Sequence, residues 1–304
     1  MATKQLAILT VLGALGATAA TAHAQSAPAK ITIGIYTPTV QFDTAQARLA
    51  YAQGLAKAIE QNTGIKTEAQ SYASIAALEK DKVDFAIVDG PCYATHLSWN
   101  LLADANIGGS TTRPWALYSA TGATMQDLKG KKLVYVQSGC NDAGFVDNAM
   151  LESEVDPGFF GARIGEKDLT GAVAAVTSYK TAQAVFAPAS SGKGLTKVFD
   201  TGQVPNPAFV EITSQPAGLS AKVANAVIGY GGGGAITAWT KPDRSPYQGL
   251  AGRLGRNTKQ GILANPDPVR IDGKDVLVDP PTIKDPAEVA VRGHFTRAPG
   301  GRLD

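Results

Sequence analysis

The chain has 304 residues, which is long enough for two compact lobes of ordinary domain size. Its 28 lysines and arginines nearly balance its 26 aspartates and glutamates, and the net charge is +2. A chain so balanced has no overall field to attract nucleic acid or an anionic membrane, and we exclude both as partners. Its 33 glycines, 17 prolines and low aromatic content of 7% are typical of a loop-rich α/β protein.

The first 24 residues have the features of a cleaved export signal. Lys4 precedes an uncharged, mostly apolar run over residues 6–20, and residues 22–24 (Ala-His-Ala) supply small side chains at the usual cleavage spacing. The run is alanine-rich and shorter than the roughly 20 strongly apolar residues of a membrane span. We therefore expect an exported, periplasmic protein from which residues 1–24 are removed.

Periodicity predicts five elements in the first third of the exported chain. They alternate as strand, helix, strand, helix and strand, over residues 31–36, 45–63, 65–72, 74–80 and 83–88. The last strand has no polar alternation, as expected of a strand covered by helices on both faces. This order predicts a βαβαβ unit with a mostly parallel sheet.

A second α/β unit follows the first. It is predicted to have strands at 133–136 and 184–187 and helices at 145–151 and 172–177. A connecting strand at 115–119 precedes it, and a returning strand at 209–213 with a helix at 220–228 follows it. The order predicts two lobes joined by crossing segments near residues 113–120 and 204–213, with a cleft between them.

Three segments of the chain carry a resemblance to a known family. The first strand ends in Thr-Pro at residues 37–38, residues 83–91 (Val-Asp-Phe-Ala-Ile-Val-Asp-Gly-Pro) are followed by Tyr93, and residues 127–132 (Asp-Leu-Lys-Gly-Lys-Lys) lead into a strand and a polar loop. In this order they resemble the periplasmic solute-binding proteins of ABC importers, of the phosphate-, phosphite- or phosphonate-binding type. The resemblance covers roughly residues 30–265.

The resemblance implies a type II periplasmic binding fold of two doubly wound α/β lobes. With the element order, we expect lobe 1 at residues 25–113 and 210–265, lobe 2 at 114–209, and a C-terminal extension at 266–304. Proteins of this type capture a small polar solute, here phosphonate- or phosphate-like, and present it to an ABC permease in the inner membrane. The resemblance implies a monomer without a cofactor, a metal or a catalytic step.

Ligands of open α/β sheets bind beyond the carboxyl ends of strands, at loops that lead into helices. Three such loops supply candidate ligand-binding residues: Thr37, Pro38, Asp89, Gly90, Tyr93, Ser138, Gly139, Cys140 and Asn141. By the resemblance, the last loop is where the family carries small hydroxyl residues. Those residues hold phosphonate oxygens together with helix N–H groups.

Several carboxylates accompany these loops. Asp142 and Asp147 lie in or beside the first turn of the helix after the third loop, and Asp89 lies on an opposing loop. Like charges about 5 Å apart repel by the order of 1 to 3 kcal/mol, which would favour a neutral, zwitterionic or cationic solute over a phosphonate dianion. The alternative is that Asp142 and Asp147 complement the helix dipole and face solvent.

Two further candidates precede the last strand of the second unit. The family commonly has a glycine and an aspartate there, and this chain has Ala182 or Gln183 where the aspartate would be. Tyr179 would reach the cleft by stacking and Lys180 by its charge. The alternative for Lys180 is an exposed lysine at a helix end.

Cys92 and Cys140 are the only two cysteines, and each falls in a strand-to-helix loop of a different lobe. An exported chain with two cysteines usually pairs them, and a bond here would tie the lobes together and restrict opening. Two free thiols are a second possibility. A third is thiol or metal chemistry, because His96 lies four residues after Cys92 on the same helical face.

Catalytic motifs are weak in this chain. Residues 190–194 (Ser-Ser-Gly-Lys-Gly) lack the preceding glycine of a phosphate-binding loop, and no Gly-x-Ser-x-Gly nucleophile elbow occurs. We therefore predict a binding protein and not an enzyme. The alternatives are a sensory or scaffold module of the same fold that does not transport, and a periplasmic thiol or metal enzyme that uses Cys92, His96 and Cys140.

Overall fold

The computed structural model describes residues 28–256 apart from residue 217. The predicted export signal at residues 1–24 and the C-terminal extension at 266–304 lie outside the described residues. Within the described part of the chain, no helix is long and apolar enough to cross a membrane.

The first lobe is built on a six-stranded sheet with the order β11-β4-β10-β3-β1-β2. Its strands are β1 (Ile31–Tyr36), β2 (Thr67–Ser71), β3 (Phe85–Val88), β4 (Asn100–Asn106), β10 (Ala208–Glu211) and β11 (Ala238–Thr240). β1 pairs in parallel with β2 and β3, as predicted. β10 lies antiparallel between β3 and β4 because the chain returns from the other lobe, and β11 is antiparallel to β4, so the sheet is mixed.

Helices cover both faces of this sheet. They are α1 (Ala45–Thr63), α2 (Ile75–Asp81), α3 (Gly90–Thr95) and α6 (Leu219–Ile228). α1 and α6 pack with the isoleucines of β1 in one core, whereas α2 and α3 pack on the opposite face. The Thr44 side chain caps α1 by accepting from the Ala47 N–H, and Gly64 ends the helix with a φ of 72°.

The second lobe has a five-stranded sheet with the order β7-β6-β8-β5-β9. Its strands are β5 (Thr112–Ser119), β6 (Lys132–Val136), β7 (Ala162–Glu166), β8 (Ala184–Pro188) and β9 (Thr196–Pro205). α4 (Asp142–Gly144) continues into a π-helix (Phe145–Met150), and α5 (Leu169–Thr177) follows β7. The prediction of a connecting strand at 115–119 is wrong: β5 is an internal strand of this sheet, since it pairs antiparallel with both β8 and β9.

The chain passes between the sheets at residues 107–111 and again at 206–207. A final helix, α7 (Ser245–Leu254), bridges the lobes: Tyr247 lies in a core of the first lobe, and Leu250 and Leu254 lie in a core of the second. The Asn148 side-chain amide donates to the carbonyl oxygen of Leu254 at 3.0 Å and so caps the end of this helix. α7 therefore braces the lobes in addition to the crossing segments.

Gly90 begins α3 where that helix meets the second crossing segment. A Cβ at this position would clash with the carbonyl oxygen of Pro205. We expect Gly90→Ala to lower the free energy of unfolding by about 1–3 kcal/mol, because main-chain atoms must move, and urea denaturation measures this. Gly249→Ala in α7 is the matched control. Its Cβ meets nothing within 4 Å, so it should raise stability by roughly 0.5–1 kcal/mol. Equal effects of the two variants would contradict the clash.

Candidate functional site

The predicted loops from the two lobes lie against each other. The Tyr36 hydroxyl of lobe 1 donates to the carbonyl oxygen of Ser138 in lobe 2 at 2.8 Å. The Leu169 N–H of lobe 2 donates to the carbonyl oxygen of Pro38 in lobe 1 at 2.9 Å. We call this region the lobe junction and define it by residues 36–39, 89–93, 113–115 and 138–142.

A disulfide between Cys92 and Cys140 crosses the lobe junction, with the two Cα atoms 4.9 Å apart. It joins the first turn of α3 to the loop after β6, and both residues are buried. Because the Cα atoms of a disulfide stay within about 7 Å of each other, the lobes cannot separate at this point while the bond is intact. Of the three possibilities for these cysteines, the structure contains the disulfide.

The alternative thiol or metal site is not formed, since both sulfur atoms are bonded to each other. His96 is held by other contacts: its Nε2 lies 3.0 Å from Glu79 Oε1 and its ring stacks on Trp99 at 4.3 Å. No cluster of three potential metal ligands occurs among the described residues.

The N–H groups of the loop after β6 are already occupied by the chain itself. Asp142 Oδ1 accepts from the N–H and the hydroxyl of Ser138, both at 2.8 Å, and Oδ2 accepts from the Gly139 N–H at 2.9 Å. Asn141 has a left-handed backbone, and its side chain accepts from the Gly144 N–H at 3.2 Å. Asp142 therefore stands where the oxygens of a phosphonate were predicted to bind.

Asp147 does not crowd the lobe junction. Its Oδ1 pairs at 2.6 Å with the guanidinium of Arg163 on β7, and both side chains are largely buried. The prediction that Asp147 faces solvent beside the helix end is also wrong, since Arg163 covers it.

Asp89 is fully buried and belongs to a polar network that joins the lobes. Its carboxylate accepts from the Thr39 N–H at 2.7 Å and from the Thr39 hydroxyl at 2.9 Å. The Arg113 guanidinium, on β5 of lobe 2, donates to the Thr39 hydroxyl and carbonyl oxygens at 3.4 Å and to Asn206 at 2.7 Å. Burial raises the pKa of Asp89 to about 6, although the Thr39 hydrogen bonds and Arg113 oppose this rise.

Two buried polar atoms at the lobe junction have no hydrogen-bond partner among the described residues. They are the Thr37 hydroxyl and the Trp115 indole nitrogen. Thr37 follows β1 and is completely buried. Trp115 lies two residues after Arg113 in β5, so both side chains point to the same face of the sheet. An unpaired buried donor costs free energy, and a bound polar group would remove that cost.

The remaining predicted residues divide into two groups. Tyr93 is a core residue, since its ring packs edge-on against Tyr247 at 4.8 Å and its hydroxyl donates to the carbonyl oxygen of Trp99. Tyr179 and Lys180 precede the amino end of β8, whereas the Ser138 loop follows the carboxyl end of β6, and these strands are parallel. They therefore lie at the opposite edge of the sheet, and the prediction that they reach the cleft is wrong.

Sequence reasoning assigned no contact to Arg113, Thr39 or Asn206. A signal for Arg113 was available, because it is a lone basic residue at the start of an apolar strand. Thr39 and Asn206 gave no such signal, since small polar residues in loops are common and only the fold brings these two to Arg113.

Several solved structures have the same architecture. PhnD1 from Prochlorococcus marinus, in complex with methylphosphonate, is 10% identical and aligns over 75% of this chain and 97% of its own, with a TM-score of 0.58. This chain has the type II periplasmic binding fold. A binding protein component of an ABC phosphonate transporter from Pseudomonas aeruginosa is 14% identical over 72% of this chain and 83% of its own, with a TM-score of 0.57.

A third structure, XAC2383 from Xanthomonas citri bound to ATP, is 10% identical over 75% of this chain and 97% of its own, with a TM-score of 0.57. No family model matches the chain, and the search of curated proteins found no match. The predicted fold class and the resemblance to phosphonate-binding proteins are thus confirmed at the level of the fold. The solute stays a prediction, and so do the ligand contacts of the junction residues.

The raised pKa of Asp89 predicts a pH dependence of stability. The folded chain holds this proton more tightly than the unfolded chain, in which the pKa is near 3.8. The Asp89 contribution is therefore full below about pH 4 and is lost as the pH rises through about 6. Relative to Asp89→Asn, the wild type should lose on the order of 2 kcal/mol of unfolding free energy between about pH 4 and 7.

Denaturant unfolding at several pH values measures this difference. Asp156→Asn, which changes an exposed carboxylate of lobe 2, is the control. Its free energy of unfolding should differ from that of the wild type by a nearly constant amount across this pH range. A wild-type advantage over Asp89→Asn that grows with pH would contradict the assignment.

The disulfide closes a loop of 48 residues, and its loss should destabilise the chain. On the chain-entropy account, Cys92→Ala combined with Cys140→Ala should cost about 4 kcal/mol of unfolding free energy, measured in guanidinium chloride. Wild-type chain unfolded and refolded with excess dithiothreitol should show a similar loss. Stability that is unaffected by both treatments would contradict a structural disulfide at the lobe junction.

Proposed function

We propose that the chain is the exported solute-binding component of an ABC importer, which captures a small polar solute at the lobe junction and performs no chemical step. The observation that supports this most directly is the pair of unpartnered polar atoms, Thr37 Oγ1 and Trp115 Nε1, buried where the two lobes meet. A hydrogen-bond acceptor on a solute would give a partner to either donor. The fold shared with a binding protein component of an ABC phosphonate transporter agrees with this role.

The solute we propose is neutral or cationic, and not a phosphonate dianion. A phosphonate bound at the loop after β6 would need the N–H groups of Ser138 and Gly139, which Asp142 occupies. It would have to displace that carboxylate and then lie beside its negative charge, in surroundings where such repulsion is only partly screened. A neutral or positively charged solute meets no such conflict.

The partners and location follow from the role. We propose that the mature chain is a periplasmic monomer that delivers its solute to an ABC permease in the inner membrane. The near-neutral charge gives it no general attraction to nucleic acid or to a lipid surface.

A second candidate is a sensory or scaffold module of the same fold that does not transport. The disulfide favours it, because hinged binding proteins open and close around their solutes, and the Cys92–Cys140 bond prevents wide opening at the junction. Such a module would present a fixed surface to a partner.

The proposed solute site is tested through Thr37. Thr37→Val keeps the side-chain volume and removes an unpaired hydroxyl, so the free chain should keep its stability within about 0.5 kcal/mol or gain slightly. Solute affinity should fall about fivefold or more, because one hydrogen bond is lost. Thr39→Val is the matched control: it breaks the bonds to Asp89 and Arg113 and should destabilise the chain by about 1–3 kcal/mol.

The measurement is a thermal-shift and calorimetric screen with phosphate, methylphosphonate, amino acids and small amines. It is run on the oxidised wild-type chain and on the double variant that combines Cys92→Ala with Cys140→Ala. A solute at 100 times its dissociation constant should add about 2.7 kcal/mol of stability. Binding that requires Thr37 supports the solute-binding role. No binding to either chain favours the fixed module, and tight methylphosphonate binding with Asp142 intact would overturn the proposed solute class.

A further inference from the structure

Lobe 1 contains a cavity of about 250 Å³ that shares no residue with the lobe junction. It lies between the segment after β1, the first turns of α1 and the glycine run at residues 231–234. Its lining includes Phe42, Asp43 and Tyr51, which offer aromatic rings and a carboxylate, and the backbone of Gly233 and Gly234. The volume is below the range of about 300–1,000 Å³ typical of sites for drug-sized ligands, so a smaller molecule would fill it.

Two aromatic side chains give the cavity a rigid apolar wall. Tyr51 lies one helical turn after Ala47 on α1, so both side chains face the same way. The ring centroids of Phe42 and Tyr51 are 5.8 Å apart, and Tyr230 packs edge-on against Tyr51 at 5.7 Å. The Trp239 indole donates to the Tyr51 hydroxyl oxygen at 2.8 Å, which holds the ring in place. Burial raises the pKa of Tyr51 far above its ordinary value, so the phenol stays neutral.

The glycine run at residues 231–234 forms a defined, hydrogen-bonded turn. Gly232 and Gly234 have φ angles of 63° and 77°, and a Cβ on Gly232 would lie 2.5 Å from the carbonyl oxygen of Thr237. The Gly233 N–H donates to the carbonyl oxygen of Ile236 and closes the turn. Gly233 and Gly234 line the cavity with backbone alone, and a Cβ on either would meet nothing within 4 Å, so this part of the cavity is open space.

The charge at the cavity is negative. Asp43 is its only ionisable side chain apart from the neutral Tyr51, and the carboxylate forms no ion pair with any described residue. The amino end of α1 lies nearby and contributes about half a positive charge, which is less than the full charge of the carboxylate. The Thr44 side chain also satisfies one of the helix N–H groups. A carboxylate beside aromatic rings favours a cation.

We propose that this cavity binds a small organic ammonium ion, with the positive group between the Asp43 carboxylate and the rings of Phe42 and Tyr51. The rings attract the cation through their electron-rich faces, and the carboxylate neutralises its charge. Gly233 and Gly234 leave room for the methyl groups of a quaternary ammonium. The site is independent of the proposed transport role and of solute binding at the lobe junction.

The test is isothermal titration of the full, oxidised chain with choline, tetramethylammonium and ethylammonium chlorides. A matched neutral probe is 3,3-dimethylbutan-1-ol, which has the shape of choline and carries no charge. Choline should bind saturably, and the neutral alcohol should bind at least about fivefold more weakly. Asp43→Asn should weaken choline binding by a similar factor or more, and Phe42→Leu should weaken it by about twofold to fivefold.

Three controls keep the outcome unambiguous. Asp156→Asn removes an exposed carboxylate from the other lobe and should leave choline affinity unchanged. Thr37→Val reports on the lobe junction: a loss of choline affinity in this variant, with Asp43→Asn unaffected, would place the cation at the lobe junction and overturn the proposal. Circular dichroism establishes that each variant is folded. No saturable binding of the three cations, equal binding of the neutral alcohol, or an unaltered affinity in Asp43→Asn would each overturn the proposal.

Discussion

The contact between the two lobes is the constraint on which the rest of the structure depends. Residues 36–39 and 89–93 of lobe 1 meet residues 113–115 and 138–142 of lobe 2, and the disulfide is part of this contact. In a binding protein these same loops would have to separate and close again around a solute. A solute-binding role therefore depends on whether the lobe junction opens, and the strength of its separate interactions decides whether it can.

The hydrogen bonds and charges at the lobe junction contribute little free energy to holding the two lobes together. Arg113 and Asp89 are both buried, and burial works against the charged form of each. The hydrogen bonds through Thr39 recover part of the desolvation cost, so an opened junction would rehydrate both groups and lose little free energy. The disulfide is different, since its geometry limits separation whatever the solvation. It is therefore the interaction that most restricts opening.

Much of the fold could be predicted from local pattern, and much of the site could not. The segments at β1, α1 and β3 have strong periodicity and clear end signals at Thr44 and Gly64, so their positions were predicted well. β4, β7 and β9 were missed, since exposed and polar residues interrupt their patterns. The role of β5 was misassigned because only its pairing with β8 and β9 shows that it is internal.

The site depends on contacts between distant parts of the chain, and these are what sequence spacing does not reveal. The loop after β6 was predicted to offer N–H groups to a ligand, whereas Ser138 and Gly139 donate theirs to Asp142, and these bonds depend on the left-handed backbone of Asn141. The sequence alone shows that Asp142 places a carboxylate four residues after Ser138. That this carboxylate accepts hydrogen bonds from the Ser138 and Gly139 N–H groups follows only from the turn. The same local hydrogen bonds order this loop and occupy its N–H groups, so a substitution of Asp142 would change the stability of the loop and the groups that it exposes together.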